Sequence, residues 1–192
     1  MVLRIPKIVF VGSLALVLAA VLLLAGPLSA PANASPCKRF GTDMPRDLSH
    51  RHARMAVRCL LNRKRENHGL HRLGKSGRLK EAAQRHTNYM ADHRCFAHEC
   101  SGEPSVLSRL KDVNYIVGGL RRWLYGENIA YGGSNLGTPK AIVRAWMHSP
   151  EHRYNILNPD FRQIGIGFVR GIPPKPGAGG STFTTDLVMR KR

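Results

Sequence analysis

Acidic side chains are scarce. Twelve Asp and Glu stand against 30 Lys and Arg, a formal charge of +18 in 192 residues. Such an imbalance implies attraction to polyanions. Aromatic residues are also few, at 7%, and no basic tract is interleaved with them. That absence argues against nucleic acid as the partner, because bases would have little to stack on. No internal repeat is visible, and nothing marks a second domain. No serine or cysteine triad is supported either, so hydrolysis by an activated side-chain nucleophile has no basis here. A more ordinary use of the charge is a solvated basic surface that keeps the chain soluble.

One long apolar run is present, from Ile8 to Gly26, preceded by Arg4 and Lys7 and broken by Pro27. Ala32-Asn33-Ala34 then gives the small-x-small pattern cut by signal peptidase. Residues 1–34 therefore read as a signal peptide, with an uncleaved N-terminal membrane anchor as the alternative. Either way the folded part is expected to be secreted or associated with the cell envelope. Cleavage would leave 158 residues and lower the charge to +16, enough chain for one domain with a core. The polyanions met there are anionic lipid head groups and cell-wall polymers.

Four cysteines follow the apolar run: Cys37, Cys59, Cys95 and Cys100. An even number in an exported chain favours disulfides, with three possible connectivities. Cys95 and Cys100 flank four residues and can pair locally, which leaves Cys37 for Cys59. A zinc site built from Cys95, His98 and Cys100 is the competing reading.

Residues 35–47 lack any period and read as an extended leader. Helical spacing follows over Leu48 to His68, with Gly69 as a stop, and again over Gly77 to Arg94. The second helix should bury Leu79, Ala82, Ala83, His86 and Met90, with His86 as a hydrogen-bonded core histidine. A shorter helix is expected from Glu103 to Asp112, and a strand around Trp123-Leu124-Tyr125. Gly132 to Asn135 reads as a loop. Thr138-Pro139 and Ser149-Pro150 are both helix starts. Ile164 to Phe168 and Thr182 to Val188 are strands joined by the Gly- and Pro-rich stretch 171–180. Helices first and strands mostly last imply an α+β layer fold with an antiparallel sheet, one domain over residues 48–192.

His148-Ser149-Pro150-Glu151-His152 imitates the H-x-x-E-H pattern of some zinc peptidases. That pattern needs one continuous helix, and Pro150 would break it. His98, in a loop flanked by two cysteines, is a better candidate. Glu127, between Gly126 and Asn128-Ile129, is a carboxylate that needs a partner if buried. His152, near the start of a short helix, should favour its neutral, metal-competent form.

These stretches, in their order, resemble the CAP superfamily of cysteine-rich secretory, antigen 5 and pathogenesis-related 1 proteins, and specifically its bacterial extracellular SCP-like branch. Asn62 to Arg65 with Gly69-Leu70 and Leu73 is similar to that branch's opening helix. Phe96-Ala97-His98, Gly126-Glu127-Asn128-Ile129-Ala130, Trp146-Met147 with Ser149-Pro150 and His152-Arg153, Asn155-Ile156-Leu157 and Ile164 to Gly167 follow in family order. The resemblance implies an α-β-α sandwich, a central antiparallel sheet flanked by helices. It also implies a cleft holding two histidines and two glutamates, the histidines being able to bind zinc. His98, Glu127 and His152 match three of those four positions, and Asn128 lies beside them. The fourth position is Ser149; Glu99 and Glu151 are near matched histidines but not at it. Two functions follow as expectations. One is a monomeric binding module for a hydrophobic small ligand, anionic lipid or wall polymer. The other is a metal-dependent hydrolase with zinc on His98 and His152 and Glu127 as general base.

Overall fold

Residues 35–175 and 179–192 are described by the structure, a computed structural model. The proposed signal peptide lies outside them. The described residues form one compact unit. Its elements are α1 (Pro36–Phe40), α2 (His50–Glu66), β1 (Gly74–Lys75), α3 (Gly77–Asp92), α4 (Val106–Asp112), β2 (Arg122–Gly133), α5 (Pro139–His148), α6 (Pro150–Leu157), β3 (Gln163–Arg170) and β4 (Gly180–Lys191). Among the described residues no helix is long and apolar enough to cross a membrane.

Local chemistry sets the helix starts. Ser49, Ser76, Ser105 and Thr138 each cap α2, α3, α4 and α5 by accepting a backbone N–H from the first turn. Proline occupies the first position of α5 and α6, where its missing N–H has no intrahelical role. Gly69, with a φ of +68°, lets the chain turn back after α2.

The sheet runs β1-β3-β4-β2. Strands β2, β4 and β3 are antiparallel, whereas the two-residue β1 joins β3 in parallel. The sheet is therefore mixed and not purely antiparallel. β1 follows a helix and enters beside β3 instead of returning through a hairpin. Helices α3 and α4 cover one face, burying Leu79, Ala82, Val106 and Leu110 with Val188. Helices α2, α5 and α6 cover the other, where Leu61, Ile142, Trp146 and Ile156 meet Ile164, Phe168, Phe183 and Leu187. The result is the expected α-β-α sandwich. A β-carbon at Gly165 would overlap the Leu79 carbonyl, and one at Gly167 would overlap that of Ala83. Those two glycines let α3 lie directly on β3.

Three local expectations need correction. Residues 35–47 are not an extended leader: they form α1 and a 3₁₀ turn at Pro45–Asp47. Cys37 and Pro45 are buried, and Arg170 donates to the carbonyls of Pro45 and Leu48. Long-range contacts that leave no periodic trace hold this segment. The expected 103–112 helix begins only at Val106, because Pro104 and the Ser105 cap set its start; Glu103 stays outside it. Finally, β2 continues to Gly133 and runs into a 3₁₀ turn over Ser134–Gly137. Twelve residues of pairing with β4 override the loop signal of Gly132-Gly133.

Both disulfides have the expected pairing, Cys37–Cys59 and Cys95–Cys100. With its sulfurs bonded to each other, the Cys95–His98–Cys100 zinc reading is removed, because zinc requires thiolates. Arg65, fully buried at the end of α2, donates to the carbonyls of His71, Ile156, Asn158 and Phe161 at 2.7–3.2 Å. This one guanidinium fixes the α6–β3 turn, and with it the helix that carries His152.

Candidate functional site

β2 is an edge strand, and successive side chains on it point to opposite faces. Glu127 points toward α3 and α4, and Asn128 toward α6. The pair therefore addresses both layers from one place.

The Glu127 side chain is only 2% exposed, yet it is heavily bonded. One oxygen accepts from His98 Nδ1 at 2.8 Å, and the other accepts from Arg109 at 2.7 Å. The Nε2 atom of His86 lies 3.7 Å from the oxygen that His98 uses. Burial works to raise the Glu127 pKa. The hydrogen bond from His98 and the charges of His86 and Arg109 outweigh it and hold the carboxyl below its ordinary value.

A second carboxylate completes the buried network. Glu103 accepts from His86 Nδ1 at 2.7 Å and lies 3.4 Å from Arg109, with its own side chain 3% exposed. Arg109 also donates to the carbonyls of Pro104 and His98. His86 is thus the buried, hydrogen-bonded histidine expected, but it adjoins the site instead of standing apart in the core.

Across the strands, Asp186 of β4 sits directly opposite Glu127. Its pKa is raised well above the ordinary value, first by burial and then by the charge of Glu127 and a hydrogen bond to it. Asp186 Oδ1 is buried without a hydrogen-bond partner among the described residues. Burial and the neighbouring Glu127 charge both favour the protonated form of Asp186.

His98 stands at the cleft mouth with its side chain 51% exposed. The Cys95–Cys100 bridge closes its loop, Arg109 holds its carbonyl, and Phe96 packs edge-on against Tyr131 at 4.7 Å. Its pKa is raised, chiefly by the hydrogen bond to Glu127. Because a carboxylate only accepts, Nδ1 carries the proton and Nε2 faces outward.

His152 enters from the other layer. Its Nδ1 meets Ser149 Oγ at 2.8 Å, which explains why Ser149 precedes α6 without capping it through its side chain. Asn128 donates to the His152 carbonyl, and Asn155 donates to both Asn128 and the Glu127 carbonyl. Gly126 leaves room for Asn155: a β-carbon there would crowd its side-chain oxygen and Phe161. The Gly-Glu-Asn sequence is therefore a docking seam between β2 and α6. Burial first, and then the charge of His98, lowers the His152 pKa. His148 ends α5 while His152 lies in α6, so no H-x-x-E-H helix forms.

The residues singled out in the sequence converge on this edge of the sheet. Among the described residues no three His, Cys, Asp or Glu side chains group to hold a metal ion. Glu127 has both oxygens engaged, and Ser149 offers a hydroxyl where a second carboxylate would stand.

Glu103, Arg109 and Asp186 were missed in the sequence. Each had a faint signal. Arg109 lies on the inward stripe of its helix beside Val106 and Leu110, and Asp186 alternates with Thr184 and Val188 on one face of a buried strand.

The fold and these motifs agree with comparisons to known proteins. Residues 59–172 match the family model described as CAP, the cysteine-rich secretory protein family. The uncharacterized protein YkwD of Bacillus subtilis is 36% identical over 110 residues, 57% of this chain and 40% of that protein. The uncharacterized membrane protein YlbC of the same organism is 32% identical over 111 residues, 58% of this chain and 30% of that one. This chain thus spans less than half the length of these relatives. Two solved structures share the fold. An extracellular protein containing an SCP domain from Bacillus anthracis has a TM-score of 0.57 at 23% identity, covering 74% of this chain and 44% of its own. An outer surface protein from Borrelia burgdorferi has a TM-score of 0.61 at 18% identity, covering 75% and 97%. With the family match spanning more than half of the sequence and the layered fold in agreement, this chain belongs to the CAP family of cysteine-rich secretory proteins.

Proposed function

We propose that this CAP domain is a recognition module that works outside the cytoplasm at the bacterial envelope, with an anionic envelope component as its partner. The observation that carries this reading is the state of Glu127. Its two oxygens are taken by His98 and Arg109, and its pKa is depressed. A general base needs a free oxygen within reach of substrate and a pKa near the working pH. Glu127 is equipped to hold the His98 loop in place, and recognition suits such a rigid cleft better than proton transfer. The two disulfides fit an oxidising compartment. The charge of +18 supports an anionic partner.

A hydrophobic small ligand has separate support. A groove of about 600 Å³ has Tyr131, Leu136, Ala141, Ile142 and Ala145 in its lining, with Arg144 and His148 beside them, and Leu136 is 60% exposed.

The test is equilibrium binding of the purified chain to vesicles with and without phosphatidylglycerol, to an anionic wall polymer, and to a long-chain fatty acid. Measurements at about 50 and 200 mM salt separate charge-driven binding from the rest. Binding to an anionic partner that weakens with salt is expected. Absence of binding to both anionic probes, or turnover of wall fragments that Glu127→Gln abolishes, would overturn the reading.

A further inference from the structure

We infer that the seat of the anionic partner is a basic groove at the sheet edge opposite the histidine cleft, and that it takes a linear phosphodiester polymer without bases. The inference rests on the envelope reading above and gives it a location. β1 and β2 lie at opposite ends of the sheet order, so this groove and the Glu127 site occupy opposite edges.

The groove holds about 510 Å³. One wall is a stripe of α2: Arg51, Arg54 and Arg58 recur at helical spacing with Met55 between them. The other wall is Lys75 of β1 and Lys80 of α3, joined by Ser76 and Gly77 at the start of that helix. Five cations face one space, and no carboxylate lines it. None of the five forms an ion pair within 4.0 Å among the described residues, although Arg72, Arg85, Arg109 and Arg122 all do so elsewhere. Arg54 is half-buried, and among the described residues its side chain donates only to the amide oxygen of Gln84. Next to the groove, His50 has its pKa lowered first by burial and then by the charges of Arg54 and Arg170. An acid-poor cluster of this kind is stabilised when an anion enters.

Shape and lining narrow the partner. Charges on two facing walls can grip a chain lying between them, whereas a flat bilayer would touch only the rims. The floor is Ile164 and Ile166, apolar and buried, which suits the carbon backbone of a polyol or sugar between successive phosphates. No aromatic side chain lines the groove, so the bases of a nucleic acid would have nothing to stack on. Arg51, Arg54 and Arg58 are spread along two turns of helix and can meet more than one phosphate of the same chain.

The experiment compares two triple charge reversals in the whole chain. Arg51→Glu, Arg58→Glu and Lys80→Glu alter the groove. Lys111→Glu, Arg121→Glu and Arg192→Glu make the same change in net charge at exposed sites elsewhere. Each protein is titrated with poly(glycerol phosphate), with phosphatidylglycerol vesicles and with oligo(dT), across salt concentration. The groove variant should lose at least about tenfold in polymer affinity, and its salt slope should fall by about two to three phosphate contacts. The control variant should stay close to the native protein, and oligo(dT) should bind native protein more weakly than the polymer does. If both triples weaken the polymer equally, the groove assignment fails while the envelope reading survives. If native protein binds neither polymer nor vesicles, both fail. If the groove variant loses vesicles but keeps polymer, the partner is a lipid surface and the polymer assignment is overturned. Far-ultraviolet circular dichroism checks folding; should the reversals unfold the chain, Arg51→Gln with Lys80→Gln provides the milder comparison, expected to weaken polymer binding in the same order.

Discussion

Replacing Arg109 with Met tests the buried network most directly. The substitution keeps the aliphatic bulk and removes the cation that contacts Glu127 at 2.7 Å and Glu103 at 3.4 Å. Both carboxylates are 2–3% exposed, so water cannot replace the lost charge. Breaking a buried pair from one side costs about 3–5 kcal/mol, because a charge is left uncompensated. The carbonyls of Pro104 and His98 also lose donors, adding about 1 kcal/mol each. The total is roughly 5–7 kcal/mol, a large part of the stability of a domain this size.

The pH dependence gives an independent signature. In the native protein Glu127 has a depressed pKa, so it stabilises the fold above the ordinary carboxylate value of 4.5 and loses that contribution as pH falls. Without Arg109, burial, already the largest influence on Glu127, meets less opposition, and the carboxyl takes up a proton more readily. The stability gap between native and variant should therefore shrink as pH falls from 7 toward 5. Urea unfolding at a series of pH values measures both quantities, provided the slopes agree. Adding Glu127→Gln to Arg109→Met should recover part of the loss, since the unpaired charge is gone. A gap under about 1 kcal/mol that does not vary with pH would refute the reasoning.

Three further outcomes are expected. Asp186→Asn should stabilise the protein near pH 7 and have little effect near pH 3. The raised pKa of Asp186 means that ionisation penalises the fold as pH rises above 3.8, and thermal melts across pH will show whether the advantage grows in that direction. Removing the Cys37–Cys59 bridge, which spans 22 residues, should cost about 3 kcal/mol, against about 2 for Cys95–Cys100 across five, as measured by denaturant unfolding of the paired Ser variants. Gly165→Ala should cost about 3 kcal/mol or more, because its methyl group would overlap the Leu79 backbone and force α3 off the sheet; an unchanged melting temperature would mean α3 can shift freely.

Helix starts were legible because a cap is a contact between residues two or three apart. Thr138-Pro139 and Ser149-Pro150 mark the starts of α5 and α6, and the break between them separates His148 from His152. The disulfide pairing followed from the same kind of local limit. Glu127, His98 and His152 were legible as candidates because each lies inside a short distinctive stretch. Their actual bonding was not. Glu127 faces Asp186 through a cross-strand register 59 positions apart, and Arg109 reaches Glu127 from another layer.

The sequence by itself determined the main helices and long strands in their order, an α+β class, the two bridges and the excess of positive charge, through periodicity, capping, spacing and composition; the sandwich layering came from the family resemblance. Tertiary structure decided what the charges meet. It neutralised Glu127 with Arg109 and His98, left Asp186 against it, and brought Arg51, Arg54 and Arg58 to face Lys75 and Lys80 with no acid between. Those outcomes depend on strand register and on how helices seat over glycines. Both are long-range packing solutions that no local pattern encodes.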